Sequence, residues 1–191
     1  TIGYKGRIAI NLKINVEDSA HASAPWLAKN AIHESSLFVN EIKNVLESGQ
    51  EDKKKGMMLT ATLTEIKGGL SHNVTPKECN STIDIRIPVD MNCKLVEEKI
   101  SKTVQEIAKK RQVEAFYSII DETEPFEAEH SSPLVRALTL GILDVEKNRP
   151  TLIRKTGTGD MNVIGNKLNI PVVTYGPGDP HAAHTIDEKI S

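Results

Sequence analysis

Between Arg7 and Glu17 the chain alternates without a break. Ile8, Ile10, Leu12, Ile14 and Val16 fall on one face, and Arg7, Asn11, Lys13, Asn15 and Glu17 on the other. A period of two is strand geometry, and one apolar face with one polar face marks a half-buried strand of an antiparallel sheet. The apolar face needs a cover, and the next segment supplies one. Pro25 suits a helix start, where its missing N–H costs little. Leu27, Ala31, Phe38, Ile42 and Val45 then recur at helical spacing, which predicts a helix over about 25–48. Gly49 and the charged run Glu51 to Lys55 end it in a solvated loop.

The same two periods then repeat. Met57, Leu59, Ala61 and Leu63 alternate with Met58, Thr60, Thr62 and Thr64, and Gly68-Gly69 marks a turn. Cys79 to Pro88 is a third strand, with Ile83, Ile85 and Ile87 on one face and Asp84 and Arg86 on the other. Asp90 is the expected cap of a second helix. Val96, Ile100, Val104 and Ile107 form its stripe, and Lys109, Lys110 and Arg111 suit its C-terminal end. Val113 to Ile120 reads as a fourth strand. The order β-α-β-β-α-β over residues 3–122 predicts an α+β, ferredoxin-like sandwich of two layers.

Residues 123–191 differ in character. Ser131 or Ser132 is expected to cap a helix entered by Pro133, with Leu134, Leu138, Ile142 and Val145 as its stripe. Thr151-Leu152-Ile153 reads as a short buried strand. Lys155 to Asp160 reads as a turn, with Met161, Ile164 and Leu168 on a helix behind it. Ile170 to Tyr175 reads as a strand. Alternating elements of this kind suggest part of an α/β domain with too few strands to stand alone. The chain opens with Thr1 and stops at Ser191, so both ends read as cuts through a longer protein.

Composition narrows the function. Lys and Arg number 24 against 26 acidic residues, a net charge of −2 that argues against general nucleic-acid binding. An RNA-recognition sandwich also needs stacking aromatics on its central strands, here the first and third, and neither carries one. No apolar run reaches membrane-spanning length. Cys79 and Cys93 lack Cys-x-x-Cys spacing, which fits a reduced, cytoplasmic protein.

Glycines and prolines break the chain after Tyr175 and open the loop Gly176-Pro-Gly-Asp-Pro-His-Ala-Ala-His-Thr-Ile-Asp-Glu188. Imidazole is a common ligand for zinc-like metals, and a nearby carboxylate can orient it. Gly-Pro-Gly, a spacer, Ala-His-Thr and an acidic pair resemble the last metal-binding loop of the M20 metallopeptidase and deacylase family. That family includes acetylornithine deacetylase, succinyl-diaminopimelate desuccinylase and the carrier-protein-lysine hydrolase. The resemblance makes His184 a metal ligand and leaves His181 in the variable spacer.

Four other stretches resemble the family at matching places. Ser19-Ala-His-Ala-Ser-Ala-Pro25 puts His21 where the family has a histidine that reaches the partner subunit's site and stabilises the reacting carbonyl. Asn73 with Pro76, and the Asp84-Ile85-Arg86 strand, stand where the family contacts substrate. Arg86 also suits a carboxylate on chemical grounds, since a guanidinium can hold one through two parallel hydrogen bonds. Thr156-Gly157-Thr158-Gly159-Asp160 resembles a Gly-Gly-Thr-Ser-Asp turn, making Gly157, Thr158 and Gly159 substrate-facing; Gly159 departs from the pattern. Residues 3–122 would then be the lid, or dimerisation, domain, and 123–191 the C-terminal part of the catalytic domain.

The resemblance further implies a cytoplasmic homodimeric amidohydrolase with two zinc or cobalt ions, acting on an N-acyl or carrier-protein-linked amino acid. The wording of the last loop leans toward the carrier-protein-lysine or -ornithine branch of lysine and arginine biosynthesis, with acetylornithine deacetylase next. The family's remaining metal ligands and its glutamate base lie upstream of the lid, so these 191 residues alone are expected to be inactive. An isolated dimerisation module is the reading from another class.

Overall fold

A computed structural model describes residues 1–176 together with Ile186 and Lys189. The long alternating segment is strand β2 (Gly6–Asn15), preceded by the two-residue β1 (Gly3–Tyr4). Helix α1 (Ala31–Glu47), strands β3 (Thr60–Gly68) and β4 (Glu78–Ile87), helix α2 (Cys93–Arg111) and strand β5 (Glu114–Thr123) follow. The sheet order is β3-β4-β2-β5, with every neighbouring pair antiparallel. This is the ferredoxin-like arrangement the sequence predicts.

Burial follows the alternation. Ile8, Ile10, Leu12 and Ile14 of β2 and Ile85 and Ile87 of β4 are fully covered. Phe38 and Ile42 of α1 and Val96 and Ile100 of α2 cover them. Polar contacts across this layer are satisfied internally, Ser35 Oγ to Ser81 Oγ at 2.6 Å and the Ala61 N–H to Glu47 Oε1 at 2.9 Å. The other face of the sheet carries the polar residues Arg7, Asn11, Lys13, Asp84 and Arg86.

The elements depart from expectation in several places. The predicted helix start at Pro25 is a 3-10 turn over Pro25–Leu27 that ends in extended backbone at Ala28, so Trp26 and Leu27 are exposed rather than packed. Asn30 is the cap that starts α1, its side chain accepting from the Ile32 and His33 N–H groups. Asn92, not Asp90, caps α2 through the Leu95 N–H, while Asp90 pairs with Lys53 at 2.6 Å. In both cases the side chain that faces the first free N–H groups wins over an earlier candidate.

Beyond β5 come β6 (Phe126–Glu127), α3 (Pro133–Glu146), β7 (Arg154–Lys155) and α4 (Asp160–Leu168). Ser132 caps α3. Strand β1 lies between β6 and β7 in a second, three-stranded sheet, so Gly3–Tyr4 pairs outside the four-stranded sheet, which starts at Gly6. Thr151 to Ile153 is not a buried strand: Leu152 and Ile153 are 36% and 39% exposed, and the pairing residues are Arg154 and Lys155. Residues 170–175 carry no strand either. Thr174 exchanges backbone hydrogen bonds with Thr1 at 3.0 and 2.7 Å, an isolated link with no ladder on either side.

Phe38 is completely buried between sheet and helices, so Phe38→Ala should destabilise the sandwich by about 3–5 kcal/mol in denaturant unfolding. A loss under about 1 kcal/mol would contradict this packing. Glu34 gives a second readout. It is buried and accepts from Arg111 Nη2 at 2.8 Å, and that bond first of all holds its carboxyl below the ordinary value. The stabilisation it adds is therefore present above the unfolded carboxylate pKa and lost as pH falls through the lower folded value. Glu34→Gln should flatten this acid-side loss, and an unchanged acid profile would contradict it.

Candidate active-site elements

His21 and Asn73 come together at one end of the four-stranded sheet. The loop after β2 is zipped to the segment before β4: Ala22 N–H donates to Asn73 O at 2.8 Å, and Thr75 N–H to Ala20 O at 2.9 Å. The buried Thr75 hydroxyl accepts from Ala20 N–H at 2.8 Å. His21 bridges Val74 within this zipper. Its ring is exposed, and its Nδ1 accepts from the Ser23 N–H at 3.2 Å, with Ser23 Oγ at 2.7 Å. A backbone N–H can only donate, so the neutral ring with this contact carries its proton on Nε2. The loop thus presents an N–H donor at its tip.

Arg86 lies at the opposite end. It sits opposite Arg7 in the β2–β4 register, while Asn15 sits opposite Glu78 at the His21 end. Arg86 Nε and Nη2 donate to the two carboxylate oxygens of Asp84 at 2.6 and 3.2 Å, and Nη1 donates to Thr158 Oγ1 at 3.2 Å. Three of its five N–H groups are so engaged among the described residues, which leaves one on each terminal nitrogen. The Asp84 pairing and the substrate-anchor reading are therefore compatible, since Asp84 fixes the plane of the fork.

An open groove of about 590 Å³ runs past this end, lined by Lys5, Thr60, Thr62, Asp84, Arg86 and Gly157 among others. Gly157 carries no neighbour within 4 Å of a built Cβ, so the turn approaches the groove with bare backbone. Gly159 lies against the Tyr4 ring and starts α4, so its surroundings are the second sheet rather than open groove. Lys5 was not singled out by the sequence. Its side chain is 5% exposed, and burial first, then Arg86, lowers its pKa. No local pattern marks it, because its setting is made by β3 and Arg86, distant in sequence.

The two ends cannot serve one small substrate within one chain. Eight residue steps along β2, from Arg7 to Asn15, at about 3.3 Å each put roughly 26 Å between them. His21 lies beyond Asn15, and two side chains of ordinary length do not close that gap.

Among the described residues one set of three metal-type donors lies together, Cys93, Glu122 and Glu124. Its two carboxylates are exposed, and the Cys93 thiol is engaged with the Thr123 carbonyl at 3.6 Å. Burial first, then Glu124, pushes that thiol up to about 12. Glu124 accepts the Cys93 N–H at 3.0 Å, a link from helix end to strand. Cys79 and Cys93 are both free and buried. His184 lies outside the described residues. No helix among those described is long and apolar enough to cross a membrane.

The antiparallel β-α-β-β-α-β unit is thus joined at both ends to a second unit of short strands and two helices, with the His21 loop and the Arg86 groove at opposite ends of its sheet. Residues 2–112 match the peptidase dimerisation domain of the M20 family, and the chain belongs to that family. It is 30% identical over 190 residues to the LysW-lysine/LysW-ornithine hydrolase of Saccharolobus islandicus, covering all of this chain and 49% of that protein. The chain thus spans about half the length of the curated relatives it matches. Among solved structures it is similar to an aminopeptidase of Bacillus cereus (TM-score 0.78, 20% identity, covering 100% of this chain and 48% of that one). An M20 family metallo-carboxypeptidase of Sulfolobus solfataricus is also similar (TM-score 0.73, 16% identity, covering 99% and 55%). These two likenesses establish the fold.

The tautomer is directly testable. In the neutral ring, nitrogen NMR of the labelled chain should show His21 Nδ1 as the unprotonated nitrogen and Nε2 as the protonated one. The opposite assignment would contradict the Ser23 contact.

Proposed function

We propose that this chain is the lid and C-terminal catalytic portion of a metal-dependent amide hydrolase that works as a homodimer in the cytoplasm. The reading rests on the separation of the two poles: each active site takes Arg86 and the Thr156–Gly159 turn from one chain, and His21 with Asn73 from its partner. Edge strand β3 is the proposed seam. It flanks the sheet, and from Thr62 to Gly68 every residue is exposed, Leu63 and Ile66 included. Its unpaired N–H and C=O groups suit pairing with a second copy.

In the assembled site, Arg86 binds a carboxylate of the substrate with its two remaining N–H groups, bare backbone at Gly157 lets the substrate lie close, and Thr158 steadies the guanidinium from behind. The partner's His21, with its proton on Nε2, donates to the amide oxygen as negative charge develops on it, a contact strongest in the transition state. Paired zinc or cobalt ions are the proposed cofactor. Their donors lie outside the described residues, His184 among them. The substrate proposed is a carrier-protein glutamyl amide of lysine or ornithine, in lysine or arginine biosynthesis, in line with the name of the relatives at 30% identity. Acetylornithine is the runner-up, favoured by the same carboxylate anchor.

The test is an assay of the full-length enzyme, loaded with zinc or cobalt, on a carrier-linked glutamyl-lysine amide and on acetylornithine. Faster turnover of the carrier-linked amide is expected. Preference for acetylornithine would support the runner-up, and turnover of neither would overturn the hydrolase reading. Arg86→Ala should raise KM about tenfold or more, with a smaller change in kcat, because it removes ground-state anchoring.

A further inference from the structure

The chain passes between the four-stranded sheet and the rest of the described structure twice, at Lys5 between β1 and β2, and at Glu124-Pro125 between β5 and β6. One side chain holds both crossings. Asn162, in the first turn of α4, has no solvent exposure. Its Nδ2 donates to Lys5 O at 3.1 Å and to Glu124 O at 2.8 Å, and its Oδ1 accepts from Gly159 N–H at 3.1 Å. Both N–H groups and the carbonyl oxygen of one amide are thereby used, on three separate segments. No other side chain of this size both donates twice and accepts in one plane.

The surroundings leave the crossings little room. A Cβ on Gly6 would lie 2.6 Å from Pro125, and one on Gly165 would lie 2.1 Å from the Phe126 ring. The crossings therefore touch each other, and α4 presses on the second of them. Asn166 adds an outer link, Nδ2 to Pro125 O at 3.1 Å. The Lys5 carbonyl also receives the Thr158 hydroxyl at 3.1 Å, and Thr158 in turn accepts from Arg86 at 3.2 Å. A continuous path of hydrogen bonds runs from Asn162 through Lys5 O and Thr158 to the guanidinium.

We propose that Asn162 is a positioning residue: by clamping both interdomain crossings to the start of α4, it fixes the lid relative to the Thr156–Gly159 turn and so aims Arg86 at the groove. The kinetic part of this proposal rests on the hydrolase reading; the clamp does not. Losing the amide removes one donor from each carbonyl, leaving Lys5 O to the Thr158 hydroxyl at 3.1 Å and Glu124 O to Asn166 Nδ2 at 3.4 Å, and it unlinks the two crossings from each other, which loosens them rather than the sheet core.

Two measurements decide it. In the 191-residue chain, Asn162→Ala should speed hydrogen exchange of the Lys5, Gly6 and Phe126 amides about tenfold or more, while Ile10, Leu12, Ile83 and Ile85 stay protected. If residues 160–168 exchange freely in that variant, Asn162→Asp is read instead, since it keeps the size and removes both donors. Unchanged exchange at the crossings in the variant read overturns the clamp, whatever the enzyme hydrolyses. In the full-length enzyme, Asn162→Ala should lower kcat/KM about tenfold through KM, yet have under about a twofold effect in an Arg86→Ala background. Equal effects in both backgrounds overturn the positioning role.

Discussion

The length of β2 sets the geometry on which the rest depends. All ten of its residues pair with β4, and nine of them, Arg7 to Asn15, pair with β5 across one register shift, which makes a stiff central strand. What lies at its two ends is held apart as firmly as its own hydrogen bonds hold. Ile8, Ile10, Leu12 and Ile14 bury one face of it under the helices, so the spacing cannot relax without opening the core. The His21 loop grows from one end and the Arg86 groove from the other. A site that needs both must be built from two chains.

Each pole is prepared by bonds that do not touch substrate. At one end Thr75 and Ala20 exchange hydrogen bonds that hold the histidine loop against the Asn73 segment, and the Ser23 N–H selects the tautomer. At the other, Asp84 sets the plane of the guanidinium and Thr158 ties it to the Lys5 carbonyl at the first crossing. Under the proposed function the chemistry asked of each group is simple, one donor or one anion anchor. Orientation decides whether it works, and orientation is where these networks act.

Much of the lid was legible because its periods are clean. The alternation of β2 and β4 and the stripe of α2 gave element types, order and the buried isoleucines. The β3 edge followed from topology. Boundaries and caps were less legible: Pro25 and Asp90 are acceptable helix starters, and only the path of the chain brings Asn30 and Asn92 to the free N–H groups. The second unit was harder still. Its strands are two residues long, too short for a period to show, so Arg154–Lys155 was read one turn early as Thr151 to Ile153. Arg86 and Thr158 were singled out separately, by motif. Their contact, and the role of Lys5 and Asn162 around it, joins residues about 70 to 160 positions apart and leaves no local signature.

The central claim is that one site needs two chains, and mixing tests it most directly. At substrate well below KM, His21→Ala and Arg86→Ala versions of the full-length enzyme are each expected to be weak. After subunit exchange, half of the dimers pair one of each, and each such dimer regains one site with an intact Arg86 and an intact partner His21. The mixture should recover roughly a quarter of the unmodified activity per chain, as a symmetric interface requires. A mixture that exchanges subunits yet stays at the mean of its two components would contradict the account.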